Sequence, residues 1–293
     1  MRDTLRQYQR ALGLDETRCT FCLRPFAPQP LAPPMDFLSA EKLCPHCRTR
    51  LVSRSIRSCR RCALPLEGTQ THICGRCAVD PLPWDAVAVW GLYRAALRDA
   101  LLRLKFDGEL TLAPVLAGCL LQASACLPRP DAILAVPQHP RHLCDRGFNQ
   151  AHELVRGLQK QGDLPLRPEL LQKVRHTPAQ AGLTAQDRAR NLRGSFAARP
   201  DVRGLRLWLV DDVMTTGSTM REACRCLKVA GASSLCVLVV ARTPRPEDVP
   251  LLPRYETREQ RDELILERNA IENGSRSGGR ACPASLEERT PAP

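Results

Sequence analysis

Residues 210–219 read VDDVMTTGST (Val210 to Thr219), directly after the apolar run Leu205–Val210 (LRLWLV) and directly before a helical apolar pattern over Met220–Ala230. A strand delivering two acids into a short hydroxyl-rich loop that opens a helix is an anion cradle: loop and helix N–H groups point at the anion. The hydroxyls of Thr215, Thr216, Ser218 and Thr219 add donors. Gly217 lets backbone and ligand approach closely. Asp211 and Asp212 would repel a phosphate, so they need a different partner, and ribose hydroxyls one phosphate away supply it. As strand-end carboxylates they are expected to be exposed. No Gly-Lys-Ser/Thr is present, which excludes a Walker loop.

Outward from this loop, strand and helix signals alternate. Trp84–Tyr93 reads as a strand, Ala95–Phe106 and Leu110–Leu127 as helices, and Asp131–Val136 as a buried strand that Pro137 turns into a loop. Gly147–Gly162 reads as a helix, Arg175–Phe196 as an irregular Arg-rich stretch, and Leu235–Ala241 (LCVLVVA) as a last buried strand after a helix closed by Gly231. Alternation of this kind predicts an α/β domain with a parallel sheet covered on both faces. Ligands in such sheets sit at the carboxyl ends of the strands.

Upstream, the chain changes character. Eight of its 15 cysteines form four C-x-x-C pairs within the first 80 residues: Cys19/Cys22, Cys44/Cys47, Cys59/Cys62 and Cys74/Cys77. Each pair places two thiolates on one knuckle, and two knuckles complete the tetrahedral sulfur shell that Zn²⁺ prefers. Eight thiols therefore predict two structural zinc ions in a double zinc ribbon. Consecutive pairing of knuckles is the simplest assignment; crossed pairing stays open. His46 and His72 lie beside knuckles and are read as bystanders. Cys119, Cys126, Cys144, Cys224, Cys226, Cys236 and Cys282 show no metal spacing and read mostly as small buried hydrophobes.

The net charge is +12, yet only five of the 43 basic residues are lysines: Lys42, Lys105, Lys160, Lys173 and Lys228. Arg48, Arg50, Arg54, Arg57, Arg60 and Arg61 cluster with no acid among them, which suits either a phosphate-gripping edge or a solvated face. Aromatic residues make up only 4%, against a protein built on base-stacking platforms. No apolar run reaches membrane-span length, and MRDTLRQYQR lacks a signal-peptide apolar core, so a cytoplasmic location is expected. Three parts are expected: a double zinc ribbon over 1–80, an α/β domain over 81–242 and a largely disordered tail over 243–293, with a short helix over 258–271.

VDDVMTTGST resembles the PRPP-binding signature of type I phosphoribosyltransferases, and the order of the whole chain resembles the ComF competence family, also called GntX-like. The resemblance covers roughly residues 19–242. It rests also on the knuckle series, on Leu104-Lys105-Phe106, on Arg146-Gly147-Phe148-Asn149-Gln150, and more loosely on Thr177, Gln180, Leu183, Arg188, Asn191 and Phe196. It implies a type I phosphoribosyltransferase-like fold in which Asp211 and Asp212 bind the ribose hydroxyls of PRPP and Thr215, Thr216, Gly217, Ser218 and Thr219 its 5-phosphate. Lys105, Arg141 and Arg146 would approach the pyrophosphate and its Mg²⁺. It further implies a link to DNA uptake, with single-stranded DNA and uptake proteins as partners, either as a transferase of unknown acceptor or as a non-catalytic PRPP sensor. Amidophosphoribosyltransferases share such a loop, but their glutaminase needs an N-terminal Cys nucleophile and residue 2 here is Arg. Ammonia transfer from glutamine is therefore not expected.

Overall fold

The apolar runs of the second half assemble into one sheet. The computed structural model of the 293-residue chain describes residues 17–27, 42–51, 57–66, 72–177, 190–245 and 248. Four strands, β1 (Ala86–Leu92), β2 (Ala132–Ala135), β5 (Arg206–Met214) and β6 (Ser234–Arg242), lie in the order β1-β6-β5-β2, every pairing parallel. Two short strands, β3 (Leu171–Lys173) and β4 (Phe196–Ala198), pair antiparallel beside it.

Alternation along the strands divides the core into two layers. Ala88, Trp90, Ile133, Ala135, Trp208, Val210, Leu238 and Val240 face one way and pack with helices α3 (Ala95–Phe106), α4 (Leu112–Ala123) and α6 (Gln150–Gly162). Ala132, Leu134, Leu207, Leu209, Val237 and Val239 face the other way, toward α7 (Ser218–Val229). Burial on both faces is why these strands read as continuous apolar runs. Helices α4 and α6 lie so close that a Cβ on Gly157 would come within 2.5 Å of the Ala117 Cβ, which glycine alone avoids.

Two boundaries differ from the sequence reading. The strand expected to end at Val210 continues through the acid pair to Met214, because β6 offers a partner along that length: Asp211 is opposite Val239 and Met214 opposite Arg242. The helix expected over 147–162 starts three residues later, at Gln150, and a separate short helix precedes it where a loop was expected. α5 (Pro140–Arg146) ends at Gly147 with φ 80, the left-handed turn glycine adopts without strain; α6 then starts afresh at Gln150, capped by the Asn149 side chain, which accepts from Ala151 N at 3.0 Å.

The knuckles form two separate tetrads, Cys19/Cys22/Cys44/Cys47 and Cys59/Cys62/Cys74/Cys77, each with its last cysteine on a short helix, α1 (Pro45–Leu51) and α2 (Gly75–Val79). Consecutive pairing is thus the observed one. Of the remaining cysteines, Cys119, Cys224 and Cys236 are buried as expected, but Cys126 and Cys144 are exposed. The Arg-rich edge is also partly consumed: Arg48 is buried, and the Arg61 guanidinium donates to Leu82 O at 2.7 Å and Asp85 O at 3.1 Å. Arg54, Gln180, Leu183, Arg188, Cys282 and the tail beyond residue 248, with its expected helix, lie outside the described residues. No helix among the described residues is long and apolar enough to cross a membrane.

Candidate functional site

β2 and β5 are neighbours whose chains leave in opposite directions: β2 leads to α6 on one face and β5 to α7 on the other. Such a divergence opens a crevice at the carboxyl ends of the strands. A cleft of about 850 Å³ occupies it, lined by Lys105, Val136, Gln138, Gln150, Lys173, Asp211, Asp212, Thr215 and Thr219, with Tyr93, Phe106 and Phe148 as aromatic wall.

Asp212 is 4% exposed and Asp211 half-buried, so the expected open carboxylates are instead set into the cleft floor. The reason is the strand extension, which carries the pair under the cleft wall. Asp212 Oδ1 accepts from Val213 N at 2.8 Å, and Oδ2 faces Lys105 Nζ at 3.8 Å and the Gln150 amide at 3.4 Å. Gln150 in turn accepts from Gln138 Nε2 at 2.8 Å, and the buried Gln138 Oε1 has no partner among the described residues. Burial and the adjacent Asp212 charge hold the Asp211 carboxyl well above the usual range, against the pull of Lys105. Lys173 is pushed the other way: burial lowers it, opposed by the attraction of Asp211.

Above the acids the loop turns at Gly217, whose φ of 79° is left-handed, and α7 begins at Ser218. Thr216 Oγ1 and Ser218 Oγ are 2.9 Å apart, and Ser218 N donates to Thr216 Oγ1 at 3.3 Å. Thr215, Thr219 and the acid pair therefore line one cleft; Thr216, Gly217 and Ser218 shape the loop between them. Lys105 also joins. Arg141 is exposed on α5 and does not line the cleft.

Other contributors carry no motif of their own. Asn149 donates to Val136 O at 3.0 Å and ties the start of α6 to the end of β2, which brings Gln150 to Asp212 and Phe148 to the cleft wall. Lys173, on β3, lies over the Phe196 ring at 5.8 Å; its rarity among 43 basic residues was the one available signal. Three of the chain's 12 aromatic residues, Tyr93, Phe106 and Phe148, line the cleft.

Within each tetrad the Sγ atoms all lie within 4.8 Å of one another. Cys22 and Cys44 approach to 3.8 Å and Cys62 and Cys74 to 3.7 Å, and tetrahedral ligands about 2.3 Å from zinc stand about 3.8 Å apart. Burial raises Cys19 and Cys59, but N–H bonds, from Cys22 and Cys44 to the first and from Cys74 and Arg61 to the second, bring each down to about 7. Burial and neighbouring thiols push Cys47 and Cys77 up. Four such thiols ionise together only around a cation, so both donor sets fit Zn²⁺.

Residues 143–264 match the model of the phosphoribosyl transferase domain family. The chain is 34% identical over 231 residues to the DNA utilization protein YhgH of Salmonella typhi, covering 77% of this chain and 96% of that protein. It is 32% identical to Competence protein F of Haemophilus influenzae, over 68% of this chain and 90% of the other. Among solved structures, the allosteric regulatory enzyme of purine biosynthesis matches 43% of this chain and 25% of its own at 26% identity, with a TM-score of 0.31.

Proposed function

The chain belongs to the ComF competence family, and from that premise we propose that it is a cytoplasmic PRPP-binding, phosphoribosyltransferase-like protein whose two ribbons each hold one structural Zn²⁺ and whose biological role is linked to the use of imported DNA. One observation carries the reading: a single cleft at the strand divergence gathers the hydroxyl loop, the acid pair and two lysines. The Thr215–Thr219 loop takes the 5-phosphate. Asp211 and Asp212 exchange hydrogen bonds with the ribose hydroxyls. Lys105 and Lys173 face the pyrophosphate end, where Mg²⁺ bound with PRPP supplies charge neutralisation.

Departure of pyrophosphate from ribose C1 develops positive charge on the sugar. Carboxyls fixed beneath it by Gln150 and backbone N–H groups stabilise that charge without reorganising, and no protein nucleophile is needed. Tyr93, Phe106 and Phe148 offer apolar faces to a planar acceptor. Among the described arginines of the ribbon edge, Arg50 and Arg60 are exposed and are the groups left to meet a nucleic acid phosphate.

Titration calorimetry of Mg·PRPP against the wild type, Asp211→Asn and Asp212→Asn tests the site. Each substitution is expected to weaken binding about tenfold, the loss of roughly 1.4 kcal/mol; unchanged affinity in both overturns the ribose assignment. Pyrophosphate release with a panel of nucleobases then measures whether the bound donor is turned over.

A further inference from the structure

Arg242, the last residue of β6, is 4% exposed and spends its guanidinium on carbonyls. Nε donates to Cys62 O at 3.0 Å, inside the second tetrad. Nη1 donates to Met214 O at 2.6 Å, to Thr215 O and to Thr243 O at 2.9 Å. A second link runs beside it: Trp84 Nε1 donates to Arg61 O at 2.7 Å, and its ring edge lies under the loop, 3.9 Å from where a Gly217 Cβ would stand. The second knuckle pair and the anion loop are therefore bridged twice.

We propose that Arg242 is a positioning residue through which the second tetrad holds the anion loop in its binding conformation, so that loss of that tetrad's metal, by itself, releases the loop. The peptide plane supplies the mechanism. In a trans peptide the N–H points opposite to the preceding C=O. Carbonyls 214 and 215 turned onto Arg242 therefore aim the Thr215 and Thr216 amides away from it, leaving them for an anion. Neither amide bonds to the backbone of the described residues. A buried guanidinium also needs compensating charge. A four-thiolate zinc site carries a formal charge of about −2, and the charges favouring the Arg242 cation are Cys62 first, then the buried Asp248, then Cys77. Removing the metal takes away the Cys62 carbonyl's fixed position and part of the charge that compensates Arg242, leaving Asp248 as the remaining counter-charge.

The inference rests on the PRPP reading only for the identity of the anion, and its test has one arm free of that reading. The zinc-loaded full chain is compared with Arg242→Met, Arg242→Lys, Trp84→Phe and Cys77→Ser by hydrogen exchange of the two amides that bond loop carbonyls, Thr243 to Met214 O at 3.1 Å and Arg221 to Gly217 O at 2.8 Å, against those of β2 as internal reference, and by calorimetric titration with Mg·PRPP. Arg242→Met is expected to keep both zinc ions by elemental analysis, leave β2 protected, speed loop exchange at least about tenfold and weaken PRPP by a similar factor. Arg242→Lys, whose single ammonium cannot reach all the carbonyls, falls between; Trp84→Phe gives a smaller effect in the same direction. Cys77→Ser, with one zinc lost, should match Arg242→Met in the loop. Loop exchange at the wild-type rate in Arg242→Met and Trp84→Phe overturns the proposal, whatever Cys77→Ser does to the fold. If wild type binds no PRPP while the loop still loosens in the variants, the functional reading fails and the coupling stands.

Discussion

Around Cys19 and around Cys59 the chain makes the same turn. Cys19 N donates to Arg24 O and Cys59 N to Leu64 O, both at 2.9 Å; Leu23 N and Ala63 N return to the carbonyls of Cys19 and Cys59 at 2.8 Å. Leu23 and Ala63 sit at φ 62° and 57°, non-glycine residues in the left-handed region, and isolated bridges Arg18–Pro25 and Ser58–Pro65 close both turns. Each ribbon is also docked by a tryptophan and an arginine donating to its carbonyls: Trp90 and Arg103 to Leu51 O and Phe21 O, Trp84 and Arg242 to Arg61 O and Cys62 O.

Their surroundings separate them. Cys19, Phe21, Leu43, Cys44, Cys47 and Leu51 belong to the main core layer, together with Trp90 and the helices α3, α4 and α6. The second ribbon has a small cluster of its own, Cys59, Cys62, Leu64 and Cys77, and is tied to the loop after β5 through Arg242, which donates to both Cys62 O and Met214 O. One local design thus serves as core in one place and as a mount for the loop after β5 in the other. An α/β body that survives loss of the first 80 residues is not what this packing supports.

Breaking each tetrad in turn has the largest expected effect. Structural zinc contributes about 10–16 kcal/mol of apparent binding energy in small zinc domains, so losing one Cys ligand unfolds its ribbon. Cys47→Ser removes part of the main core and should lower Tm by more than about 10 °C, whereas Cys77→Ser should lower it by about 5 °C or less while weakening Mg·PRPP binding about tenfold. Calorimetric scans with elemental analysis, at about two zinc ions per wild-type chain and one per variant, give the answer. Equal drops in Tm would erase the distinction.

A milder version removes one leucine from each. Leu51 is 2% exposed between α3 and Trp90's layer, and Leu51→Ala should cost about 2–5 kcal/mol. Leu64, 4% exposed in the smaller cluster, can relax more freely, and Leu64→Ala should cost about 1–2 kcal/mol in urea unfolding. A larger cost at Leu64 would show that the second ribbon is anchored to more than its own cluster.

The sheet and its loop were legible because strand, acid pair and hydroxyl run are contiguous in the chain, and the knuckles because ligand spacing is local. What was not legible is what depends on distant pairing. That β5 continues to Met214 follows from β6 lying alongside, and this buried Asp212 where an exposed carboxylate was expected. Nothing near Arg242 in sequence marks it: it ends an apolar strand, 180 residues from the Cys62 carbonyl it holds. Lys173 and Tyr93 likewise reach the cleft only through tertiary folding. Gln150 and Phe148 stood inside a quoted motif, yet their tasks depend on where β2 ends.

The smallest effect separates the arginines that reach across from the body. Arg103 bonds Glu109 through two nitrogens at 2.9 and 2.5 Å, donates to Phe21 O at 2.7 Å and lies 5.0 Å from the Phe21 ring centre. Arg103→Ala leaves the Phe21 carbonyl without its donor and should cost about 1.5–3 kcal/mol with little salt dependence. Arg221 meets Asp80 of the second ribbon's helix end at 3.0 Å, but the two side chains are 42% and 72% exposed. Solvent screens such a pair, so Arg221→Ala should cost under about 1 kcal/mol at low salt and nothing measurable near 1 M. Urea unfolding of both variants at two salt concentrations reads the difference. A large, salt-sensitive loss in Arg221→Ala would mean that surface charge holds the second ribbon, in which case Arg242 and Trp84 only report where it sits; the small loss expected assigns the docking to those two buried side chains.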